Sequence, residues 1–159
     1  MPNGEPRSAT DSGADDAQSL TIRRRFPYPR EAVFRAWTDP AAVAAWWGPE
    51  GCTASVFEMD VRPGGAWRTG ILVSEGKEHV VGGVYREVKA PERLVFTWAW
   101  ENVGDSRHET VAVLEFHDRG GATELVLTQT RFASVESRDQ HNKGWSSSLN
   151  CLAQYLSER

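Results

Sequence analysis

Residues 52–132 alternate apolar and polar side chains in six short runs, and turn residues separate each run from the next. A period of two places alternate side chains on the same face of a β-strand. Short runs joined by tight turns are typical of neighbouring antiparallel strands. The middle of the chain therefore predicts a meander of six antiparallel strands.

One turn of this meander is specified by its residues. In Arg62-Pro63-Gly64-Gly65, Pro suits the second position of a type II turn and Gly suits the third, which needs a positive φ. Asp60 and Arg62 form a charged pair at this turn, and we assign them a structural role because an Asp there can satisfy backbone donors.

A strand and two short helices are predicted before the meander. Alternation over 20–26 predicts the strand, which ends at Pro27. Apolar residues four apart predict a helix over 30–38. Asp39 can cap a second helix that begins at Pro40, a residue favoured at the first helical position.

A long helix is predicted after Phe132, where the apolar period changes from two to about 3.6. Ser134 can cap it. One apolar stripe follows it: Trp145, Leu149, Leu152 and Leu156. Gly144 weakens a helix by about 1 kcal/mol relative to Ala, so we expect a close approach or a gentle bend there.

These elements predict one α+β domain over residues 19–159. A twisted seven-stranded antiparallel sheet with one apolar face must cover that face, and the terminal helix is the only predicted element long enough to do so. The sheet should therefore curve round this helix. Residues 1–18 lack hydrophobic periodicity and are predicted to be a disordered tail.

Composition excludes several functional classes. The 159 residues carry 18 Lys and Arg against 22 Asp and Glu, a net charge of −4, so nucleic acid is not an expected partner. The apolar stretch 41–47 is too short to span a membrane, and we expect no signal peptide and a cytoplasmic location. Cys52 and Cys151 are expected to be free, buried thiols.

Four strings carry a family resemblance: AWTDPAAVAAWW at 36–47, DVRPGGAWR at 60–68, PERLVFTWAW at 91–100 and GATELVLT at 121–128. They resemble the family named for the activator of heat-shock-protein-90 ATPase homologue, over roughly residues 20–156. That family belongs to the helix-grip superfamily (START-like, SRPBCC), with lipid-transfer domains, polyketide cyclases and birch-pollen allergens. The resemblance implies the helix-grip fold, and it implies chaperone activation as one activity.

Local signatures of common enzyme classes are missing. The chain has no GxSxG, GxxxxGK[ST], GxGxxG or HExxH motif. His79, His108, His117 and His141 are never three or four residues apart, so we expect surface or strand-end histidines and no metal site. No cofactor is expected, and no catalytic residue is assigned.

Large rings share the inward side of the predicted strands. The apolar parity of each run points these side chains toward the helix: Phe57, Trp67, Phe96, Trp98, Trp100, Leu114, Phe116, Leu125 and Leu127, with Trp145 from the helix itself. If the sheet curves away from the helix, these rings line a cavity for a small apolar or aromatic ligand. The alternative is a solid core, which is what inward aromatic residues usually form.

Polar groups are also predicted on this inward side. Gln129 continues the inward parity of its strand and would need a partner, a water or a ligand if buried, or else it reaches solvent at the rim. The register of strand 78–88 stays open, and odd parity would bring His79, Tyr85 and Glu87 inward. The predicted ligand-binding residues are Phe57, Trp67, His79, Tyr85, Trp98, Trp100, Gln129 and Trp145.

Three functions are consistent with the sequence. The first is binding of a small hydrophobic or aromatic molecule between sheet and helix. The second is activation of a heat-shock-protein-90 ATPase through a chaperone contact. The third is a cyclase or hydrolase that uses His79 or Tyr85 as acid or base. Residues Trp46 and Trp47 form an apolar strip for which a homodimer contact and a lid are both open interpretations.

Overall fold

The alternating runs form strands and the periodic segments form helices. The computed structural model describes residues 18–74 and 76–158. The strands are β1 (Leu20–Phe26), β2 (Thr53–Met59), β3 (Ala66–Ser74), β4 (Lys77–Lys89), β5 (Arg93–Trp100), β6 (Thr110–Asp118) and β7 (Thr123–Thr130). The helices are α1 (Arg30–Thr38), α2 (Pro40–Trp46) and α3 (Val135–Ser157). The predicted tail lies outside the described residues except for Gln18.

The strands form one seven-stranded sheet in the order β1-β7-β6-β5-β4-β3-β2. Every neighbouring pair is antiparallel. The segment with α1 and α2 connects the two edge strands, β1 and β2. Helix α3 buries Trp145, Leu149, Leu152 and Leu156. The α+β class and the predicted order of elements are confirmed.

The residues that predicted a turn and two helix caps adopt those structures. The amide of Gly65 donates to the carbonyl of Arg62 at 2.8 Å, and Gly64 has a φ of +87°, as a type II turn requires. Asp39 accepts from the amide of Ala41 at 3.3 Å. The hydroxyl of Ser134 accepts from the amide of Ser137 at 3.0 Å and caps α3.

Phe57 points away from the core, so the prediction that it faces inward is wrong. The pairing of β2 with β3 shifts between Val56 and Glu58, which marks a β-bulge. A bulge adds one residue to a strand and reverses the parity beyond it. Phe57 is 46% exposed, and its ring is 5.1 Å from the guanidinium of Arg68 on the outer face.

The register of β4 is odd-inward from its start to Tyr85. Val81 and Tyr85 are buried, whereas Val84 is exposed. A second bulge between Tyr85 and Glu87 then reverses the parity. The carboxylate of Glu87 accepts from the guanidinium of Arg93 at 3.1 Å outside the core, so Glu87 does not face the interior as odd parity would require.

Six indole rings pack at the centre of the molecule: Trp37, Trp46, Trp47, Trp67, Trp98 and Trp145. The indole of Trp46 donates to the carbonyl of Ala36 at 2.8 Å, and the ring of Trp47 lies 5.8 Å from that of Trp145. Both members of the Trp46–Trp47 strip are buried, so neither forms an exposed apolar strip.

Both cysteines are free thiols, as predicted, and each is partly buried. None of the helices in residues 18–74 and 76–158 is both long and apolar enough to cross a bilayer.

Candidate functional site

A cavity of about 260 Å³ lies between the inner face of the sheet and the N-terminal half of α3. The sheet side is formed by Ile71, His79, Trp98 and Trp100. The helix side is formed by Ser137, Gln140, His141, Gly144, Trp145 and Ser148. The loops at 47–49 and 103–105 complete the wall. Four of the predicted ligand-binding residues therefore meet here: His79, Trp98, Trp100 and Trp145.

The volume limits the size of an occupant. An apolar cavity of about 150 Å³ accepts benzene, and drug-sized ligands occupy pockets of about 300 Å³ or more. A cavity of about 260 Å³ falls between these cases. One aromatic ring with a short side arm, or two small fused rings, matches this space.

Three small residues and one histidine line the hollow from α3. Ser137, His141, Gly144 and Ser148 are three or four residues apart, so they share one face of the helix. A Cβ added at Gly144 would have no heavy atom within 4 Å. The close approach expected at Gly144 is therefore absent, and the missing side chain leaves open space at the cavity wall.

His141 is held in one neutral tautomer. Its Nδ1 is 2.7 Å from the carbonyl of Ser137, which can only accept, so Nδ1 carries the proton. Its Nε2 is 2.9 Å from Nε1 of Trp100, an indole that can only donate. Burial lowers the pKa of His141, against smaller opposing effects of Ser137 and Asp105. The expectation of surface or strand-end histidines is wrong for His141.

His79 faces the cavity from β4, and its ring centre is 6.1 Å from that of Trp100. Its ring nitrogens make no hydrogen bond to another side chain or backbone group of the described residues. The hydroxyls of Ser137 and Ser148 likewise make none within the described part of the chain, although both residues are buried. The wall thus combines indole rings with a few free polar groups.

Gln129 is fully buried, but its partners are side chains of the protein. Its oxygen accepts from Nε1 of Trp145 at 2.7 Å, and its nitrogen donates to the hydroxyl of Thr110 at 2.7 Å. That hydroxyl donates to the carbonyl of Trp98 at 3.2 Å. Gln129 therefore lies behind the cavity wall, where it positions the indole of Trp145 directly and is linked through Thr110 to the backbone of Trp98.

Trp67 and Tyr85 lie beside a separate void of only about 20 Å³. Burial, with a smaller effect of Asp60, raises the pKa of the Tyr85 phenol. His79 and Tyr85 are six residues apart on one strand, which corresponds to roughly 20 Å. These two predicted acid-base candidates therefore do not face a common site.

No group of three or more His, Cys, Asp or Glu side chains is arranged to hold a metal ion within residues 18–74 and 76–158. The charged group in the described cavity wall is the exposed carboxylate of Asp105, and no Lys or Arg of the described residues contributes to that wall.

The residues that sequence reasoning missed are the small and polar ones on α3. Their signal was available, because Ser137, Gly144 and Ser148 lie at intervals of seven and four residues, which places them on one side of the helix next to the apolar stripe. The contribution of Trp47 and of the 103–105 loop had no such local signal, since both reach the cavity through tertiary packing.

Comparison with solved structures supports the fold independently. The AHSA1 protein of Silicibacter pomeroyi is 31% identical over 87% of this chain and 97% of that chain, with a TM-score of 0.78. A protein of Chromobacterium violaceum is 28% identical over 86% of this chain and 95% of that chain, with a TM-score of 0.77. A protein of Arthrobacter aurescens, 21% identical over 91% of this chain and 88% of that chain, shares the fold with a TM-score of 0.80.

A comparison with curated proteins found no match. The family model described as Activator of Hsp90 ATPase homolog 1-like protein matches residues 27–157, which is more than half of the chain. The chain therefore belongs to the Activator of Hsp90 ATPase homolog 1-like family, within the helix-grip superfamily.

Proposed function

We propose that this protein binds a small hydrophobic or aromatic molecule in the cavity between α3 and the curved sheet. The observation that carries the proposal is Gly144, a helix-interior glycine whose missing Cβ leaves open space at the cavity wall. Glycine at such a position costs about 1 kcal/mol relative to alanine. Alanine would fit, so the open space is kept at the expense of helix stability.

The chemistry of the wall supports the same proposal. Ligand pockets are mostly apolar, with a small number of polar groups that orient the ligand. Here Trp98, Trp100 and Trp145 provide flat apolar surfaces, while Ser137 and Ser148 provide hydroxyls that have no partner among the described residues. An aromatic ligand could pack against the rings and form a hydrogen bond with a hydroxyl.

The enzymatic alternative has less support. Acid-base catalysis needs two titratable groups that reach one substrate. His79 lies at the cavity and Tyr85 lies at the separate void, while Glu87 pairs with Arg93 outside the core. Binding is the function that this geometry supports best.

Tryptophan fluorescence tests the proposal, because four indoles line the cavity. A set of neutral one-ring and two-ring aromatic compounds is titrated into the protein, and native mass spectrometry determines the stoichiometry. We expect saturable quenching at a ratio of one to one for at least one compound. A flat titration across the whole set would contradict the proposal.

Trp100→Phe and Trp46→Phe provide a matched pair for the titration. Trp100 lines the cavity, whereas Trp46 is buried outside its wall. Removing the indole of Trp100 should reduce the ligand-dependent fluorescence change, and removing that of Trp46 should preserve it. Equal changes in both variants would place the bound compound elsewhere.

A further inference from the structure

We propose that the preferred ligand is an arylalkyl cation, with its aromatic ring among Trp98, Trp100 and Trp145 and its ammonium group next to Asp105. This inference rests on the proposed function and adds the charge of the ligand to it. The distribution of charged groups around the cavity carries the inference.

Asp105 lies where the cavity meets solvent. It belongs to the cavity wall and is exposed, on the loop between β5 and β6. No lysine or arginine of the described residues belongs to that wall. An ammonium group at the opening would therefore have a carboxylate beside it and no competing cation in the wall.

Arg68 lies outside the wall and is paired with a carboxylate. Arg68 donates to Glu101 through two nitrogens, at 2.7 and 3.0 Å. The charge of Arg107 also acts on Glu101 and helps to lower the pKa of that carboxyl. The guanidinium of Arg68 is therefore not a free partner for an anionic ligand, and that of Arg107 lies outside the cavity wall.

The indole rings of the cavity wall also favour a positive charge. Indole faces carry negative electrostatic potential and attract ammonium groups within about 6 Å. His141 adds no positive charge, because its Nε2 already accepts from Trp100. A carboxylate in this space would lose its hydration without gaining a cation, which is a strongly unfavourable exchange.

Three probes of nearly the same size separate charge from shape: 2-phenylethylammonium, 2-phenylethanol and phenylacetate. Each has one ring and a two-carbon arm, which suits a cavity of about 260 Å³. Calorimetry at neutral pH should show the ammonium binding about tenfold more tightly than the alcohol, with the carboxylate weakest. Equal or tighter binding of phenylacetate would overturn the inference.

Asp105→Asn removes the charge at the opening with little change in size, and Asp139→Asn is the matched control. Asp139 lies on α3 outside the cavity wall and also carries one negative charge. Asp105→Asn should weaken the ammonium several-fold, and Asp139→Asn should have less than a twofold effect. An unchanged affinity in Asp105→Asn would overturn the inference.

The outcomes for this inference and for the proposed function are distinguishable. Binding of 2-phenylethanol without preference for 2-phenylethylammonium overturns the charge assignment and leaves the proposed function standing. A flat titration with the wider set of neutral aromatic compounds overturns the proposed function itself.

Discussion

Nε1 of Trp100 donates a hydrogen bond to Nε2 of His141 at 2.9 Å, and this contact joins the end of β5 to α3. The other ring nitrogen of His141 donates to the carbonyl of Ser137. Protonation at Nε2 would place two donors against each other and break the contact with Trp100. The neutral form of His141 is therefore part of the folded structure.

Stability should fall with acid because of this histidine. Burial lowers the pKa of His141 in the folded protein, so the unfolded chain binds a proton at a higher pH than the folded chain. The stabilising contribution is fully present above the unfolded pKa of about 6.5. It is lost progressively as the pH falls from that value toward the lower folded pKa. Urea unfolding measured between pH 7.5 and pH 5.0 should show this loss.

A glutamine in place of His141 offers an acceptor but does not titrate, so His141→Gln should flatten this part of the stability profile. His117→Gln is the control, because His117 lies on β6 outside the cavity wall. The stability of His117→Gln should fall with acid as that of the unmodified protein does. Identical profiles for His141→Gln and the unmodified protein would refute the role given to His141.

Gln129→Leu should destabilise the protein by about 1–3 kcal/mol, because it leaves the buried indole N–H of Trp145 and the hydroxyl of Thr110 without their partner. Gln154→Leu is the control, since Gln154 is exposed on α3. It should change stability by less than about 0.5 kcal/mol. Chemical denaturation checks both values, and similar effects of the two changes would contradict the hydrogen-bond chain.

Phe57→Ala and Phe96→Ala test the bulge in β2. Phe96 is 3% exposed in the core, and its removal should cost about 3–5 kcal/mol. Phe57 lies on the outer face, so its removal should cost less than about 1 kcal/mol, including the lost contact with Arg68. Comparable losses measured by thermal or urea unfolding would mean that Phe57 is a core residue.

Local chemistry explains why so much of the fold could be predicted. Ser134 and Asp39 act on amides within three residues of themselves, and the Pro63–Gly64 turn needs only its own dihedral angles. The alternation of apolar and polar residues likewise predicted six strands in the right order. These interactions involve only neighbouring residues, so they can be predicted without knowing how distant parts of the chain pack.

The bulges and the cavity depend on tertiary packing. The bulges next to Phe57 and Tyr85 have no residue signature of their own. Each bulge reverses which side chains face inward, whereas the prediction assumed uninterrupted alternation. The sequence correctly predicted that Trp98, Trp100 and Trp145 lie together. It did not indicate that Gln129 would accept a hydrogen bond from the indole of Trp145. The size of a void is set by how far opposing side chains reach, which periodicity does not report.

The most direct measurement of the central claim compares Gly144→Leu with Asn142→Leu. Both changes place a leucine on α3, but Gly144 lines the cavity and Asn142 is exposed. Leucine at 144 has room for its Cβ and should fill part of the hollow, while helix propensity should raise stability by up to about 1 kcal/mol. We predict at least a tenfold loss of affinity for 2-phenylethanol in Gly144→Leu, at unchanged or higher Tm, and no such loss in Asn142→Leu. Undiminished affinity in a folded Gly144→Leu protein would contradict a binding site in this cavity.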